Sequence, residues 1–213
     1  MTLPIQGLYV ITDSQLIPEQ HFLSMVEAAL RGGSKVVQYR DKTNDPQKRL
    51  NQATALKTLC HQYAVPLIIN DDIDLAQQIQ ADGVHLGKQD ASLSKAREQL
   101  GKHAIIGISC YNQLALAQQA VDNDADYIAF GRFFNSVTKP EAIPASIDLL
   151  HQARQQFSCP IVAIGGITPE NGRQLLDAGA NSLAVINGVF SESTPQAVQA
   201  AANRYFQLTT NNN

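Results

Sequence analysis

Two cations at positions 40 and 42 are the first residues of this chain that could do chemistry. Arg40 and Lys42 follow a short apolar segment and are separated by one residue. In extended backbone, residues at this spacing project from the same face, so both side chains can converge on one polyanion such as a diphosphate. Gln38 shares this alternation and is predicted to point inward, where a buried amide can bind the polar edge of a ring. The alternative is two solvated cations beside Asp41.

Two carboxylates, Asp71 and Asp90, could share a divalent cation. Both follow predicted strands that are neighbours in the sheet, and neighbouring strands lie about 5 Å apart. Mg²⁺ favours one or two carboxylates together with waters and substrate phosphate oxygens, which suits this pair beside a diphosphate. The alternative is that Asn70, Asp71 and Asp72 only cap a helix that begins near Ile73, although capping does not account for Asp90.

Further polar residues and glycines also follow predicted strands. Ser109 closes the fifth strand and Lys139 lies late in a long loop, although such residues are more often local backbone partners or solvated. Gly165-Gly166 and Ile186-Asn187-Gly188 end the seventh and eighth strands, where many barrels bind phosphate through backbone N–H groups. A tight turn that needs positive φ is the alternative for the glycines. These segments predict a second anion site.

All of these residues need a scaffold that brings strand ends together. Short β-branched runs alternate with amphipathic stretches along the chain, a pattern typical of βα units around a parallel sheet. We therefore predict an α/β fold, a single-domain (β/α)8 TIM barrel with its active site at the strand C-termini, and the alternative is an open doubly wound sheet. His85, flanked by apolar residues, is interpreted as a core residue. The eight strands are predicted near Leu8 to Thr12, Val36 to Tyr39, Leu67 to Asn70, Val84 to Leu86, Ile105 to Ser109, Tyr127 to Phe130, Ile161 to Ile164, and Leu183 to Ile186.

Length and composition restrict the class of protein. With 213 residues, 44% of them hydrophobic, the chain suits one barrel with a large aliphatic core. We predict one domain over residues 1–208 and a disordered polar tail over 209–213. A net charge of −3 indicates neither nucleic acid nor a membrane as a partner. Three widely spaced cysteines and an N-terminus without a signal-peptide pattern indicate a cytoplasmic protein.

Five segments carry a family resemblance. They are LYVITD at 8–13, VQYRDK at 37–42, IIND at 68–71, ADGVHLG at 81–87 and VAIGGI at 162–167. Together they closely resemble thiamine-phosphate synthase, from Leu8 to about Asn187. That family joins hydroxymethylpyrimidine diphosphate to thiazole phosphate, which releases diphosphate and forms thiamine phosphate. The resemblance therefore implies two anion sites, as the residues themselves predict.

The resemblance also implies a role for each matching position. It implies small-molecule substrates as partners, one Mg²⁺ per subunit held by Asp71 and Asp90, and a mechanism in which diphosphate leaves before the thiazole nitrogen captures a pyrimidine carbocation. The chain is compatible with a homo-oligomer. The implied pyrimidine diphosphate ligands are Gln38, Tyr39, Arg40, Asp41, Lys42, Asn70, Ser109 and Lys139. Of these, Arg40, Lys42, Ser109 and Lys139 would act in catalysis. The implied thiazole phosphate ligands are Ser136, Val137, Thr138, Gly166, Ile186 and Asn187.

The chain departs from the family pattern in the loop after the sixth strand and at the end of the eighth. Arg132, Asn135 and Ser136 replace two prolines and a threonine, and Asn187 stands where serine is common. A thiazole tautomerase is one alternative, but it would use a histidine where this chain has Arg132. The other alternative is a non-catalytic thiazole phosphate binder, which we would expect to lack Asp71, Asp90 or Lys139.

Overall fold

Eight short strands alternate with helices along the chain. The computed structural model of the protein describes residues 5–87, 93–135 and 144–210. Its strands are β1 (Gly7–Ile11), β2 (Val36–Tyr39), β3 (Leu67–Asn70), β4 (Gly83–Leu86), β5 (Ile105–Tyr111), β6 (Tyr127–Gly131), β7 (Ile161–Ile164) and β8 (Ser182–Val185). The α-helices in the described ranges are α1 (Phe22–Arg31), α2 (Pro46–Gln62), α3 (Ile73–Gln78), α4 (Leu93–Leu100), α5 (Leu114–Asp122), α6 (Ile147–Gln156), α7 (Pro169–Asp177), α8 (Asn187–Phe190) and α9 (Pro195–Thr210), and a 3₁₀ turn at Glu19–His21 precedes α1.

The strands close into a barrel. Each strand pairs in parallel with the next one along the chain, and β8 pairs with β1, with Leu8 opposite Leu183. This closure confirms the predicted (β/α)8 barrel and excludes the open doubly wound sheet, whose first and last strands would not form this pairing. The predicted strands all exist, and differences are confined to their ends.

Two apolar layers surround the strands. Outward-facing side chains such as Leu8 and Val37 pack beneath the helices, whereas inward-facing ones such as Tyr9 and Ile68 fill the barrel. This alternation follows from the two-residue period of a strand. At the C-terminal ends of β2 to β5 the inward positions become polar, with Gln38, Asn70, His85 and Ser109, so the strands that build the interior also place chemical groups at the barrel mouth.

Local capping fixes where helices begin after the strands. The Asp45 side chain accepts a hydrogen bond from the Lys48 N–H, and Pro46 occupies the first turn of α2. The Asp72 side chain caps α3 in the same way. Helix α7 begins at Pro169 after a capping box formed by Thr168 and Asn171, and it ends just before Ala178. Side-chain caps therefore fix the starts of α2, α3 and α7.

The last helix reaches further than the sequence analysis expected. Thr209 and Thr210 were placed in the polar tail, but both lie in α9, and their hydroxyls donate to the Phe206 carbonyl. Residues 211–213 lie outside the described ranges. None of the helices in those ranges has both the length and the apolar character needed to cross a bilayer.

Candidate active site

A cavity of 480 Å³ lies at the C-terminal ends of the strands. It brings together residues from all eight strands or from the turns that follow them. The predicted site residues that line it are Gln38, Arg40, Asn70, Ser109, Gly166, Ile186 and Asn187. The barrel therefore joins the residues predicted for the diphosphate, at the ends of β2, β3 and β5, with those predicted for the phosphate, which follow β7 and β8.

Arg40 is held in place by the end of β1. Its guanidinium Nη1 donates to Asp13 Oδ2 at 2.9 Å, and both side chains are about 15% exposed, at 15% and 14%. The Arg40 backbone N–H donates to Thr12 Oγ1 at 2.9 Å, and the same hydroxyl donates to the Arg40 carbonyl at 3.2 Å. Arg40 is thus a fixed cation at the edge of the cavity.

Three neighbours of Arg40 that were predicted to bind the pyrimidine diphosphate do not line this cavity. Tyr39 faces outward, and its hydroxyl donates to Gln52 Oε1 at 3.1 Å. Asp41 lies 3.1 Å from Lys48 Nζ. Burial opposes ionisation of Asp41, but hydrogen bonds from Thr43 and Lys48 outweigh it and lower the pKa of that carboxyl. Lys42 is exposed at the surface. The strand period explains the separation of Tyr39 and Asp41 from Arg40, because consecutive residues face opposite sides. It does not account for Lys42, which was predicted to share the face of Arg40; β2 ends at Tyr39, so the alternation does not continue to position 42.

Asp71 is exposed directly after β3. The helix cap that was the alternative role for this segment is formed by its neighbour Asp72. The α3 cap is Asp72, whose Oδ1 accepts from the Leu75 N–H at 2.8 Å and whose Oδ2 pairs with Arg49. Asp71 has a positive φ of 64°, and its Oδ2 accepts a hydrogen bond from Asn70 Nδ2. An exposed carboxylate beside the cavity-lining Asn70 is a suitable oxygen donor for Mg²⁺.

Several predicted site residues cannot be placed. Asp90, the second predicted metal ligand, lies outside the described residues. So do Ser136, Val137, Thr138 and Lys139 of the loop after β6. Their roles stay predictions from the sequence. Within the described ranges, no group of three or more His, Cys, Asp or Glu side chains is arranged to hold a metal ion.

Glycines shape the side of the cavity formed by β6 to β8. Gly165 and Gly166 both have positive φ, at 105° and 63°. A Cβ atom on Gly166 would lie 2.3 Å from the carbonyl oxygen of Asn135, so the β6 loop approaches the backbone too closely for any side chain. Both the turn conformation and the close approach therefore require glycine here. Asn187 begins α8, and the first amides of a helix are common partners for phosphate.

Arg132 adds a second cation on this side. Its guanidinium lies 3.2 Å from Asn135 Oδ1, and the residue lines the cavity beside Gly165. Among the described residues that line the cavity, the permanent cations are Arg40 and Arg132. They follow β2 and β6, which are four strands apart and so lie on opposite sides of an eight-stranded ring. This arrangement suits two separate anions.

A row of hydrogen-bonded rings lies in the barrel beneath the cavity. The hydroxyls of Tyr9 and Tyr127 are 2.9 Å apart, and Gln38 Nε2 donates to Tyr9 at 2.8 Å. His85 joins the Tyr127 hydroxyl to Ser109 Oγ, with 2.9 Å on each side. Burial raises the pKa of Tyr9 and of Tyr127 well above the usual range, so both phenols keep their protons.

The sequence alone did not identify these rings as part of the site. The predicted placement of His85 in the core is wrong, because this inward-facing residue is only half-buried and lines the cavity. Both of its ring nitrogens form hydrogen bonds, one with Tyr127 and one with Ser109. The period of the strands could have revealed all three rings, since Tyr9, His85 and Tyr127 occupy inward positions of their strands.

Comparison with known proteins agrees with this geometry. A family model described as thiamine monophosphate synthase matches residues 8–189. The thiamine-phosphate synthase of Alcanivorax borkumensis is 53% identical over 198 residues, which cover 93% of this chain and 91% of that protein. The thiamine-phosphate synthase of Nitrosococcus oceani is 52% identical over 206 residues, with 97% and 95% covered.

A solved structure agrees as well. Thiamine phosphate pyrophosphorylase from Pyrococcus furiosus has a TM-score of 0.86 to this structure and 31% sequence identity, with 96% of this chain and 95% of that chain covered. The family model and the close relatives each span most of the chain, including the strand ends that form the cavity. The chain therefore belongs to the thiamine monophosphate synthase family.

Proposed function

We propose that this chain condenses 4-amino-2-methyl-5-hydroxymethylpyrimidine diphosphate with 4-methyl-5-(2-phosphoethyl)thiazole to give thiamine phosphate and diphosphate. Family membership makes the chain a transferase. The observation that carries the proposal is one cavity with two sides: Gln38, Arg40 and Ser109 on one, and Gly166 with Asn187 on the other. The first set suits a pyrimidine diphosphate and the second a phosphate.

The proposed reaction is a dissociative substitution. The bond between the pyrimidine methylene carbon and the diphosphate oxygen breaks first, and the electron pair leaves with diphosphate. The lone pair of the thiazole nitrogen then forms the new C–N bond. Arg40 and the Ser109 hydroxyl would stabilise the charge that develops on the leaving oxygen, while the Gln38 amide orients the pyrimidine. Lys42 and Lys139 would add positive charge from the loops.

The cavity walls would protect the cationic intermediate. Ile11, Val162 and Ile164 line the cavity with aliphatic side chains. Such walls exclude water, which would otherwise capture the carbocation in place of the thiazole nitrogen. Arg132 and the backbone near Gly166 would hold the thiazole phosphate on the β6 to β8 side, so that the ring nitrogen faces the methylene carbon.

Magnesium is part of the proposal. Asp71, with Asp90, would hold the ion, and the exposed Asp71 carboxylate is the kind of oxygen donor that Mg²⁺ prefers. When bound, the ion would neutralise charge on the diphosphate oxygens. Small-molecule partners, which the family resemblance implies, and a cytoplasmic location, which the cysteines and the N-terminus predict, belong to the same proposal.

The test is synthesis of thiamine phosphate by the purified chain from the two substrates, followed by fluorescence after oxidation or by mass spectrometry. We expect product with Mg²⁺ and none with excess chelator. Product in the presence of chelator would contradict the metal assignment. No product under either condition, with thiazole phosphate still bound, would favour the tautomerase or binder alternatives.

A further inference from the structure

The hydrogen bonds beneath the cavity form one continuous chain from Gln38 to Ser109. The order is Gln38, Tyr9, Tyr127, His85 and Ser109, and each link measures 2.8 or 2.9 Å between heavy atoms. The two ends line the side of the cavity predicted for the pyrimidine diphosphate. The three middle members come from β1, β6 and β4, so the chain crosses the barrel.

The hydrogen bonds of this row can point in only two directions that give every proton an acceptor. Each phenol has one proton to donate, and a neutral imidazole has one N–H and one acceptor nitrogen. In the first direction, Tyr9 donates to Tyr127, Tyr127 donates to His85 Nδ1, and His85 Nε2–H donates to Ser109. In the second direction every one of these bonds is reversed. A mixed arrangement would leave a buried phenol proton without an acceptor, or two donors or two acceptors facing each other, at the cost of a buried hydrogen bond.

The direction determines what both ends present to a ligand. In the first direction Gln38 donates to Tyr9 through Nε2, so its Oε1 acceptor faces away from the chain. Ser109 then accepts from His85 and keeps its own proton for a ligand. In the second direction the Tyr9 hydroxyl donates toward Gln38, so the Gln38 amide must rotate to place Oε1 as the acceptor. Ser109 then donates its proton to His85 Nε2 and has none left for a ligand. The two ends therefore switch together.

We propose that Tyr9, Tyr127 and His85 are positioning residues that couple Gln38 to Ser109, and that they hold the first direction, which suits the substrate, before the substrate binds. This inference rests on the proposed function for the identity of the substrate. An aminopyrimidine donates from its amino group to the Gln38 Oε1 acceptor, and a diphosphate oxygen accepts the Ser109 proton. A single direction serves both contacts, so one substrate is recognised at both ends by one arrangement of protons.

The rings are held firmly enough for this role. Tyr127 stacks on His85 with 5.5 Å between ring centroids and 22° between planes, and it meets Tyr9 edge-on at 6.1 Å. Gly107 of β5 creates the space, because a Cβ atom there would lie 1.9 Å from Tyr127 Cζ. The absent side chain at position 107 lets the Tyr127 ring lie across β5 and reach β4.

The test is ¹⁵N NMR of the His85 imidazole in the full chain without substrate, which is independent of the proposed reaction. The five histidines are resolved by comparison with His85→Gln. We expect the Nε2–H tautomer in the wild-type chain and a measurable shift toward a mixture in Tyr127→Phe, which removes the donor to Nδ1. Tyr63→Phe is the control, because its hydroxyl bonds Glu27 and Arg31 on the outer surface.

An Nδ1–H tautomer or an imidazolium in the wild-type chain would overturn the proposal, as would unchanged His85 signals in Tyr127→Phe. Tyr9→Phe is the second variant if Tyr127→Phe does not fold. In the assay, we expect Tyr127→Phe to lower kcat about tenfold, with KM for thiazole phosphate within about twofold. Equal loss in both parameters would indicate a general structural defect and would contradict the positioning role.

Discussion

Replacement of Arg40 by glutamine tests the diphosphate side of the cavity most directly. Arg40→Gln keeps a polar, though shorter, side chain and removes the charge at the edge of the cavity. It also breaks the 2.9 Å ion pair with Asp13, in which both partners are largely buried. Because a hydrogen bond to a charged group contributes about 1.5–3 kcal/mol, we expect kcat/KM for the pyrimidine diphosphate to fall about 10- to 150-fold.

Two further variants distinguish the effect of the Arg40 charge from that of its ion pair with Asp13 and from that of a surface charge. Asp13→Asn keeps Arg40 and an acceptor oxygen for it but removes the negative charge, so we expect kcat/KM to fall by less than about tenfold, the difference between a hydrogen bond to a charged acceptor and one to a neutral acceptor. Arg31→Gln removes an exposed pair with Glu27 on the outer surface and should leave kcat/KM unchanged. The assay is initial-rate formation of thiamine phosphate, with each substrate varied in turn.

The expected pattern is specific to one substrate. KM for thiazole phosphate should stay within about twofold in Arg40→Gln, because Gly166 and Asn187, predicted phosphate ligands that the structure describes, lie on the β7 and β8 side of the cavity. Thermal unfolding of the three variants shows whether any loss of activity reflects loss of fold. A folded Arg40→Gln variant with kcat/KM within threefold of the wild-type chain would refute the assignment of Arg40 to the diphosphate.

Three other predictions follow from the geometry. Gly166→Ala should raise KM for thiazole phosphate and lower the melting temperature, because its Cβ would lie 2.3 Å from the Asn135 carbonyl oxygen; unchanged values of both would contradict the close approach. Asp71→Ala should nearly abolish Mg²⁺-dependent turnover without loss of stability, whereas Asp72→Ala should cost about 1–2 kcal/mol in urea unfolding through the lost helix cap. Loss of turnover in Asp72→Ala and loss of stability in Asp71→Ala would instead make Asp72 the metal ligand and Asp71 the helix cap. Because the pKa of Asp41 is lower in the folded chain, its ionised form stabilises the fold above the unfolded pKa of about 3.9, and this stabilisation is lost as pH falls. Asp41→Asn should thus be less stable than the wild-type chain at pH 7, with a difference that disappears in acid; a difference that persisted at pH 2 would contradict the shift.

The barrel was predictable from sequence because each βα unit carries its own local pattern. Buried runs such as Val36–Tyr39 and Ile161–Ile164 are short, apolar and followed by helix-start residues, so their limits agree with prediction to the residue. The site residues at strand ends were predictable for the same reason. The C-termini of parallel strands share one face, and this fixes Gln38, Asn70 and Ser109 near each other before any contact is known.

The hydrogen bonds between the rings could not be predicted from the sequence, because they depend on contacts between distant parts of the chain. A tyrosine within an apolar run is normally part of the core, and nothing near Tyr9 in sequence indicates a partner 118 residues away. The assignment of Tyr39 and Asp41 to the same ligand as Arg40 came from a contiguous motif. The strand period separates them, and in the structure they face α2 rather than the cavity.

The contact between Tyr9 and Tyr127 has a consequence for how the site can be assembled. The residues at the two ends of the ring row, Gln38 and Ser109, both precede β6 in the chain, but their link runs through Tyr127 of β6. A fragment that ends before β6 would contain every described ligand predicted for the pyrimidine diphosphate and still lack this link. Strands β1 to β5 are therefore not a separable module for the first substrate, because the link between its predicted ligands exists only once β6 has paired with β5.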